Sequence, residues 1–170
     1  VLQVGEPDAQ RPFLADFLSG VTSAASAENC ALTLATAQDD AETRAVLARL
    51  VAERKADGFI LPRTRAADPR IDALRAAGVP FVLFGRTRDP SGCAWFDILG
   101  EEAMGEAIHR LHRFGHRRIG YLGGGAGYTY DRLRRAGYRA ALKVLGLPRA
   151  PALETTGAIT IATGAQAAAR

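Results

Sequence analysis

Short apolar runs alternate along the chain with longer segments in which apolar residues recur every three or four positions. The runs are predicted strands, and the amphipathic segments are predicted helices. In the first of these segments Phe13, Phe17 and Val21 are four residues apart, so they would share one helix face. Over residues 1–85 the pattern predicts four strands separated by three helices. Strands joined by single helices form a parallel sheet, so this part is predicted to be a doubly wound α/β unit.

The alternation is interrupted between Arg86 and Ala94, where no helical period is visible. A predicted strand over residues 95–99 then begins a second series of strands and helices. We interpret the interruption as a connection that carries the chain away from the first sheet. The sequence therefore predicts one doubly wound α/β unit followed by a second β-α series.

Composition fits a soluble globular protein, with 170 residues, 48% of them hydrophobic and 24% charged. No apolar run approaches the roughly 20 residues of a membrane span, and there is no signal-peptide pattern. The chain starts without Met and stops inside a helical pattern, so we expect a piece of a longer protein. Cys30 and Cys93 are predicted to be buried free thiols, as in a reducing cytoplasm. A net charge of +4 allows a polyanionic partner without requiring one.

A glycine cluster over residues 123–127 follows a predicted strand and precedes a predicted helix. It departs from the dinucleotide fingerprint, because the third glycine would fall on Tyr128, and it lacks the Gly-Lys-Ser/Thr of a P-loop. A plain turn and a loop for another ligand remain open, since parallel α/β sheets bind small molecules at such loops. Tyr128 and Tyr130 could stack on a sugar ring, and Arg134 could bind hydroxyls or a carboxylate.

Histidines at positions 109, 112 and 116 have spacings that occur in metal sites, but Gly115 is predicted to end the helix before the third of them. We therefore predict no metal. Acidic pairs at residues 39–40 and 101–102 lie where helices begin, which capping explains, although Glu101 also follows a strand end and could contact a ligand. No catalytic constellation or cofactor motif stands out, so the sequence predicts neither an enzyme nor a bound cofactor.

Polar and aromatic residues also follow the first four predicted strands. Because the carboxyl ends of parallel strands share one edge of a sheet, these side chains together predict a polar cleft with a few aromatic groups. They are Asp8, Arg11, Phe13, Thr36, Arg63 and Arg86.

Two motifs carry a resemblance to a known family. "FGHRRIGYLGG" at residues 114–124 and "DRLRRAGYRAAL" at residues 131–142 resemble the effector-binding domain of bacterial transcription regulators of the lactose/galactose repressor (LacI/GalR) family. Residues 11–40 are similar to the first helix, second strand and acidic turn of that family. Residues 54–86 are similar to its third and fourth β units. The resemblance covers nearly the whole chain.

The resemblance implies a periplasmic-binding-protein-like α/β fold with two doubly wound parallel-sheet lobes. Residues 1–97 would form the N-terminal lobe, and residues 98–170 an incomplete C-terminal lobe. It also implies a helix-turn-helix domain before residue 1 that binds operator DNA, a homodimer and a cytoplasmic location. A small-molecule effector, a sugar by the chemistry above, would bind in the cleft between the lobes.

Family members contact their effectors through the loop before the first helix, which corresponds to residues 8–13 here. They also use the loop after the strand "IGYLGG", which implies contacts from Tyr128 and Tyr130. An arginine in an R-x-x-G pattern completes the set and corresponds to Arg134. One departure concerns residues 99–100, which are Leu-Gly where many relatives carry Asp-Asn. Glu101 or its neighbour Glu102 could supply the polar contact usual at that point.

Three functional hypotheses follow from the sequence. The first is a ligand-sensing transcription regulator, and the second is a sugar-binding protein that serves a transporter. The third, a sugar-modifying α/β enzyme, is disfavoured because no acid-base pair stands at a strand end. A helix-turn-helix pattern upstream of Val1 would favour the first, and a signal peptide would favour the second.

Overall fold

The computed structural model describes residues 2–3, 12–125, 127–157 and 160–169. The chain divides into two compact units. The first comprises Val1–Pro62 and Pro69–Val82, and the second comprises Arg63–Asp68 and Leu83–Arg170. The placement of the lobes at residues 1–97 and 98–170 stays a prediction.

The first unit alternates strands and helices as the sequence predicts. Strand β1 pairs in parallel with β2. Strand β4 contributes residues to both units and lies between β3 and β5 (Ala94–Phe96) in a three-stranded sheet. The elements are β1 (Leu2–Gln3), α1 (Pro12–Ala27), β2 (Thr36–Ala37), α2 (Asp40–Ala52), β3 (Phe59–Pro62), α3 (Pro69–Ala77) and β4 (Phe81–Phe84).

Helix α2 begins at a side-chain cap. Asp39 has extended backbone angles, and its carboxylate accepts a hydrogen bond of 2.8 Å from the backbone N–H of Glu42. The carboxylate of Glu42 reaches back to the N–H of Gln38 at 2.6 Å, one residue before the partner of an ideal capping box. Behind this cap Leu47 is 2% exposed, and together with Leu61 of β3 and Leu74 of α3 it belongs to the buried core of the first unit.

The second unit continues the β-α series. Strands β6 and β7 are parallel, with Tyr121 opposite Glu154. After Pro148 the chain forms a single 3-10 turn (Pro151–Leu153) that leads into β7. The elements are β5 (Ala94–Phe96), α4 (Gly100–Arg113), β6 (Tyr121–Leu122), α5 (Thr129–Val144), β7 (Glu154–Thr155) and α6 (Ile161–Ala168).

An apolar cluster holds α4, α5 and β6 together. Its members Ile108, Ile119, Tyr121, Tyr138 and Leu142 are all buried. Tyr138 is 0% exposed, and its hydroxyl donates a hydrogen bond of 2.8 Å to the carbonyl of Ile119, so this large side chain is buried without an unpaired polar atom. Burial raises the pKa of the Tyr138 hydroxyl, which keeps it in its donor form.

Helices α4 and α5 approach each other closely at Gly137. A Cβ atom at this position would overlap the backbone of Glu101, including its carbonyl oxygen. Glycine is therefore required for this helix crossing, and the crossing fixes the start of α4 against the third turn of α5. The glycine of the R-x-x-G motif thus has a packing role.

Two expectations from the sequence are wrong in detail. The largely apolar run at residues 30–36 is the second of the four strands predicted over residues 1–85, but strand β2 is confined to Thr36–Ala37. Both cysteines are free as predicted, yet neither is buried, because Cys30 is exposed and Cys93 is half-buried. Within the part of the chain that the structure describes, no helix is long and apolar enough to cross a membrane.

Candidate functional site

The segment Arg63–Asp68 is the scaffold of the site in the second unit. The hydroxyl of Thr64 donates to the carbonyl of Arg86 at 2.8 Å, and the carbonyl of Thr64 accepts the backbone N–H of Thr129 at 2.9 Å. Thr64 is 2% exposed. One buried threonine therefore fixes the start of α5 and the turn after β4 to the same segment, and both carry predicted site residues.

Gly85 makes the contact at Thr64 possible. Its φ is 123°, a left-handed value that side chains rarely adopt, and a Cβ atom there would collide with the hydroxyl of Thr64. Arg63 also has a positive φ of 55°, which is uncommon for a residue with a side chain. Unusual backbone conformations thus stand at the end of β4 and just after β3.

Arg86 is bound by two carboxylates. Its Nε lies 2.7 Å from Oδ2 of Asp97, and its NH2 group lies 2.7 Å from Oε2 of Glu101. The guanidinium also stands over the ring of Trp95, 5.9 Å from the centroid. The arrangement ties the turn after β4 to the end of β5 and to the first turn of α4.

The ion pairs change the protonation equilibria of these groups. The hydrogen bond from Arg86 lowers the pKa of Glu101 from its usual value, although partial burial opposes the shift. The carboxylates of Glu101 and Asp97 in turn raise the pKa of Arg86. Arg86 and Glu101 therefore stay charged near neutral pH and are bonded to each other, so a ligand would have to compete with an existing ion pair to reach either of them.

Four side chains form a stacked row along the start of α5. Arg65 stands over Tyr128 at 5.5 Å, the rings of Tyr128 and Tyr130 are 5.7 Å apart and inclined by only 10°, and Arg134 stands over Tyr130 at 5.3 Å. Cations and aromatic faces attract each other, so the row is stabilised from both ends. Both rings are thus already engaged by neighbours, whereas Arg134 at the end of the row is exposed.

Two glycines make room for this row. At Gly125, where φ is 75°, a Cβ atom would overlap the hydroxyl of Tyr130 and lie 2.8 Å from the ring of Tyr128. At Gly100 a Cβ atom would lie 3.0 Å from Cγ of Arg134. Gly125 of the glycine cluster therefore packs against Tyr128 and Tyr130. Gly100, which stands where many relatives carry asparagine, leaves space for Arg134.

The structure brings most of the predicted site residues into the second unit. Arg86 and Glu101 are joined in one ion-paired group, and Tyr128, Tyr130 and Arg134 in one stacked row. Arg63 lies on the segment that anchors both. Phe13 belongs to α1 of the first unit, where its side chain is 48% exposed and stacks on Phe17 with the ring centroids 6.0 Å apart. Asp8 and Arg11 lie outside the described residues.

Sequence reasoning missed Asp97, Arg65 and Thr129. Asp97 stands one residue beyond the short strand β5, and a polar residue directly after a strand end could have drawn attention to it. Arg65 belongs to the "RTR" triplet that follows β3, of which only the first arginine was singled out. Nothing in the sequence marks Thr129, because its importance depends on burial.

The described residues include no group of three or more His, Cys, Asp or Glu that could hold a metal ion. The donors of the site are guanidinium groups and hydroxyls, and its carboxylates are paired with arginine. Such a set suits hydroxyl groups and anions of organic ligands better than a cation.

Residues 4–170 match the family described as periplasmic binding proteins and sugar binding domain of LacI family. The chain belongs to this family. The resemblance drawn from the "GHRRIGYLGG" and "RLRRAGYRAAL" motifs is thereby confirmed, and with it the periplasmic-binding-protein-like α/β fold.

Curated members of the family similar to this chain are named as helix-turn-helix transcriptional regulators. The regulator RafR of Escherichia coli is 37% identical over 99 residues, which is 58% of this chain and 30% of RafR. The regulator AglR of Rhizobium meliloti is 33% identical over 147 residues, or 85% of this chain and 41% of AglR. The chain thus spans well under half the length of these relatives, which are transcription regulators and not enzymes, as the sequence predicted.

Solved structures of the family superpose closely on the chain. A complex of the transcriptional regulator CelR with cellobiose gives a TM-score of 0.86 at 29% identity, and covers 98% of this chain and 51% of that one. A regulatory protein of LacI family from Chloroflexus aggregans gives 0.83 at 28% identity, and covers 98% and 58%. The chain is therefore an effector-binding domain of the LacI type and spans about half of these solved chains.

Proposed function

We propose that this chain is the ligand-sensing part of a bacterial transcription regulator that binds a sugar and thereby modulates operator DNA binding. The stacked row that ends in the exposed side chain of Arg134 is the observation that carries the proposal. In this proposal the sugar lies in the cleft between the two lobes predicted from the sequence. A homodimer in the cytoplasm and a helix-turn-helix domain elsewhere in the protein belong to the same proposal.

The chemistry of the row favours a hydroxylated ligand. The planar guanidinium of Arg134 can donate two parallel hydrogen bonds, and neighbouring hydroxyls of a sugar can accept both. Tyr130 holds the guanidinium from one side, so little side-chain freedom is lost when a ligand binds. The complex of the related regulator CelR with cellobiose supports a sugar ligand here as well.

In this proposal the ion pairs of Arg86 with Asp97 and Glu101 couple sugar binding to the segments that they join. Arg86 and Glu101 connect the turn after β4 with the start of α4, next to the glycine that contacts Arg134. A sugar bound at Arg134 would therefore stabilise one arrangement of these segments over another. Differential affinity of this kind shifts the populations of two conformations, and such a shift couples an effector to DNA affinity.

A calorimetric titration of the intact protein with a panel of mono- and disaccharides, cellobiose included, tests the proposal. We expect saturable binding of at least one sugar, weakened roughly tenfold or more in Arg134→Gln because a charged donor is lost. Arg113→Gln, on the exposed end of α4, is the matched control and should bind as the wild type does. The bound sugar should also change the affinity for operator DNA. Binding that is equal in Arg134→Gln and the wild type would contradict the proposed site, and a sugar without effect on DNA would contradict the regulatory role.

A further inference from the structure

A depression of about 200 Å³ lies at the beginning of α5. Its lining includes Tyr128, Thr129, Asp131, Arg132, Arg135 and Thr156, all within the second unit. Arg134 is not among the lining residues, whereas Tyr128 belongs both to the lining and to the stacked row. The depression therefore adjoins the surface to which we assign the sugar but does not use its exposed arginine.

Thr129 is one of the residues that line this depression, and its buried hydroxyl has no partner among the described residues. The residue is 1% exposed, and its Oγ1 forms no hydrogen bond with any group that the structure describes. Buried hydroxyls are nearly always hydrogen-bonded, so an orphan at the wall of a depression indicates that a ligand supplies the missing bond. The backbone N–H of Thr129 is already used, because it donates to Thr64.

The charges around Thr129 favour an anion. Helix α5 has 16 residues, and Tyr128, which precedes its first turn, provides no side-chain cap, so the positive end of the helix dipole lies beside the depression with Asp131 as the acidic residue of the first turn. Arg132 and Arg135 add two positive charges, and neither forms an ion pair with any described residue. Asp131 supplies one negative charge, but its Oδ1 accepts the hydroxyl of Tyr121 at 3.0 Å and the residue is 4% exposed.

We propose that this depression binds an oxyanion of the phosphate class, held by Arg132 and Arg135 from the rim and by the hydroxyl of Thr129 from the wall. Tetrahedral oxyanions accept several hydrogen bonds at once, which matches two guanidinium groups and a hydroxyl around the positive end of a helix. The oxyanion comes either from free phosphate or from a phosphorylated sugar. The site is independent of the sugar contact at Arg134, so either can exist without the other.

A substitution of Asp131 distinguishes an oxyanion site from a second site for a neutral sugar. A carboxylate repels an anion but accepts hydrogen bonds from the hydroxyls of a neutral sugar. Asp131→Asn keeps an oxygen for the Tyr121 hydroxyl and removes the charge. It should therefore tighten the binding of an oxyanion and weaken the binding of a neutral sugar.

The test is a titration of the intact protein with inorganic phosphate at constant ionic strength, followed by calorimetry and by the phosphorus NMR signal. We expect saturable binding at one site that weakens about tenfold in Arg132→Gln and in Arg135→Gln, since each removes a charged donor. Thr129→Val should weaken it several-fold without unfolding, because the lost hydroxyl has no hydrogen-bond partner among the residues that the structure describes. Arg113→Gln, an exposed arginine on α4, should bind phosphate as the wild type does.

Three results would overturn the proposal: no saturable phosphate binding by the wild type, unchanged binding in the Arg132→Gln/Arg135→Gln double variant, or weaker binding in Asp131→Asn. Glucose 6-phosphate and glucose in parallel titrations distinguish the sources of the oxyanion. Equal affinity for phosphate and glucose 6-phosphate identifies a site for the free ion, and tighter binding of glucose 6-phosphate that depends on Arg134 identifies a phosphorylated sugar. Sugar binding that persists in the Arg132→Gln/Arg135→Gln variant would leave the proposed function intact even where the oxyanion site fails.

Discussion

Arg134 packs directly on the backbone of Gly100, where a Cβ atom would lie 3.0 Å from its Cγ and 3.2 Å from its Nε. The side chain thus runs across the first residue of α4 before it reaches the ring of Tyr130. Any larger residue at position 100 would have to displace it. Gly100, which stands where many relatives carry asparagine, therefore allows the exposed side chain of Arg134 to take this position.

Gly100→Ala should displace Arg134 and weaken sugar binding. The added Cβ requires a shift of a few tenths of an ångström in a side chain that Tyr130 also holds, so the guanidinium leaves the position in which it would meet the sugar. We expect roughly a tenfold loss of affinity in a calorimetric titration, with little change in stability. Gly105→Ala is the control, because Gly105 lies in the same helix with nothing within 4 Å of its Cβ position. Unchanged affinity in Gly100→Ala would show that the contact does not orient Arg134.

Gly137→Ala should destabilise the second unit. A Cβ there overlaps the backbone of Glu101, which cannot move aside as a flexible side chain can, so we expect a loss of about 1–3 kcal/mol in urea unfolding. Replacing an unconstrained helical glycine by alanine has the opposite effect and stabilises by about 0.5–1 kcal/mol, which is the expected result for Gly105→Ala. Equal stabilisation by the two substitutions would contradict the close helix crossing.

Glu154 should make the stability depend on acid pH. Its side chain is 6% exposed, and hydrogen bonds from Arg149 and then Arg139 lower its pKa from 4.5 to about 2. The unfolded chain therefore takes up the proton first, so the contribution of Glu154 is complete above pH 4.5 and is lost as the pH falls toward about 2. Thermal unfolding measured from pH 7 down to pH 2 should show this loss.

Glu154→Gln should remove that part of the pH dependence. The neutral side chain keeps an acceptor oxygen but loses the charge, so we expect about 1–3 kcal/mol less stability at pH 7. Between pH 4.5 and 2 the variant should lose less stability than the wild type. Glu106→Gln, an exposed position on α4, is the matched control and should retain the wild-type slope. An identical acid slope in Glu154→Gln would mean that other carboxylates determine it.

Arg86 and Glu101 should be energetically coupled. Their side chains are 22% and 28% exposed, so solvent screens the pair only partly, and a double-mutant cycle with alanine should give about 1 kcal/mol of coupling. Arg86→Ala should cost more than Glu101→Ala, because it also leaves Asp97 without its partner. Urea unfolding of the two single variants and the double variant measures both quantities. Purely additive effects would contradict a stabilising ion pair.

Much of the fold could be predicted from the sequence, because the periodicity of apolar residues is a local property. Helices α3, α4 and α5 each end shortly before a glycine with positive φ, namely Gly78, Gly115 and Gly146, and a glycine at such a position is a helix stop signal that the sequence shows. Strand lengths were harder to predict. The run that begins at Cys30 is largely apolar, yet the strand pairing that the structure describes there covers Thr36–Ala37, since pairing depends on a partner strand that is distant in sequence.

The sequence identified most residues of the candidate site but not the contacts that their side chains make. Tyr128 and Tyr130 follow a strand end, and that position identified them, but the sequence suggested open ring faces for a sugar. In the structure Arg65 and Arg134 stand over these rings. The stacking partner Arg65 comes from a segment far away in sequence, so no local pattern could reveal it.

The sequence by itself determined the α/β alternation, the family and the set of polar residues at the strand ends, because each of these is encoded by residue type and spacing along the chain. Only the tertiary structure decided which arginine is exposed and which is ion-paired. Arg86 and Arg134 both follow a strand end, but the carboxylates of Asp97 and Glu101 meet the first, whereas the second contacts a glycine and an aromatic ring. The physical reason is that the free energy of a charged side chain depends on the groups that folding brings within a few ångströms, and sequence neighbours do not specify those groups.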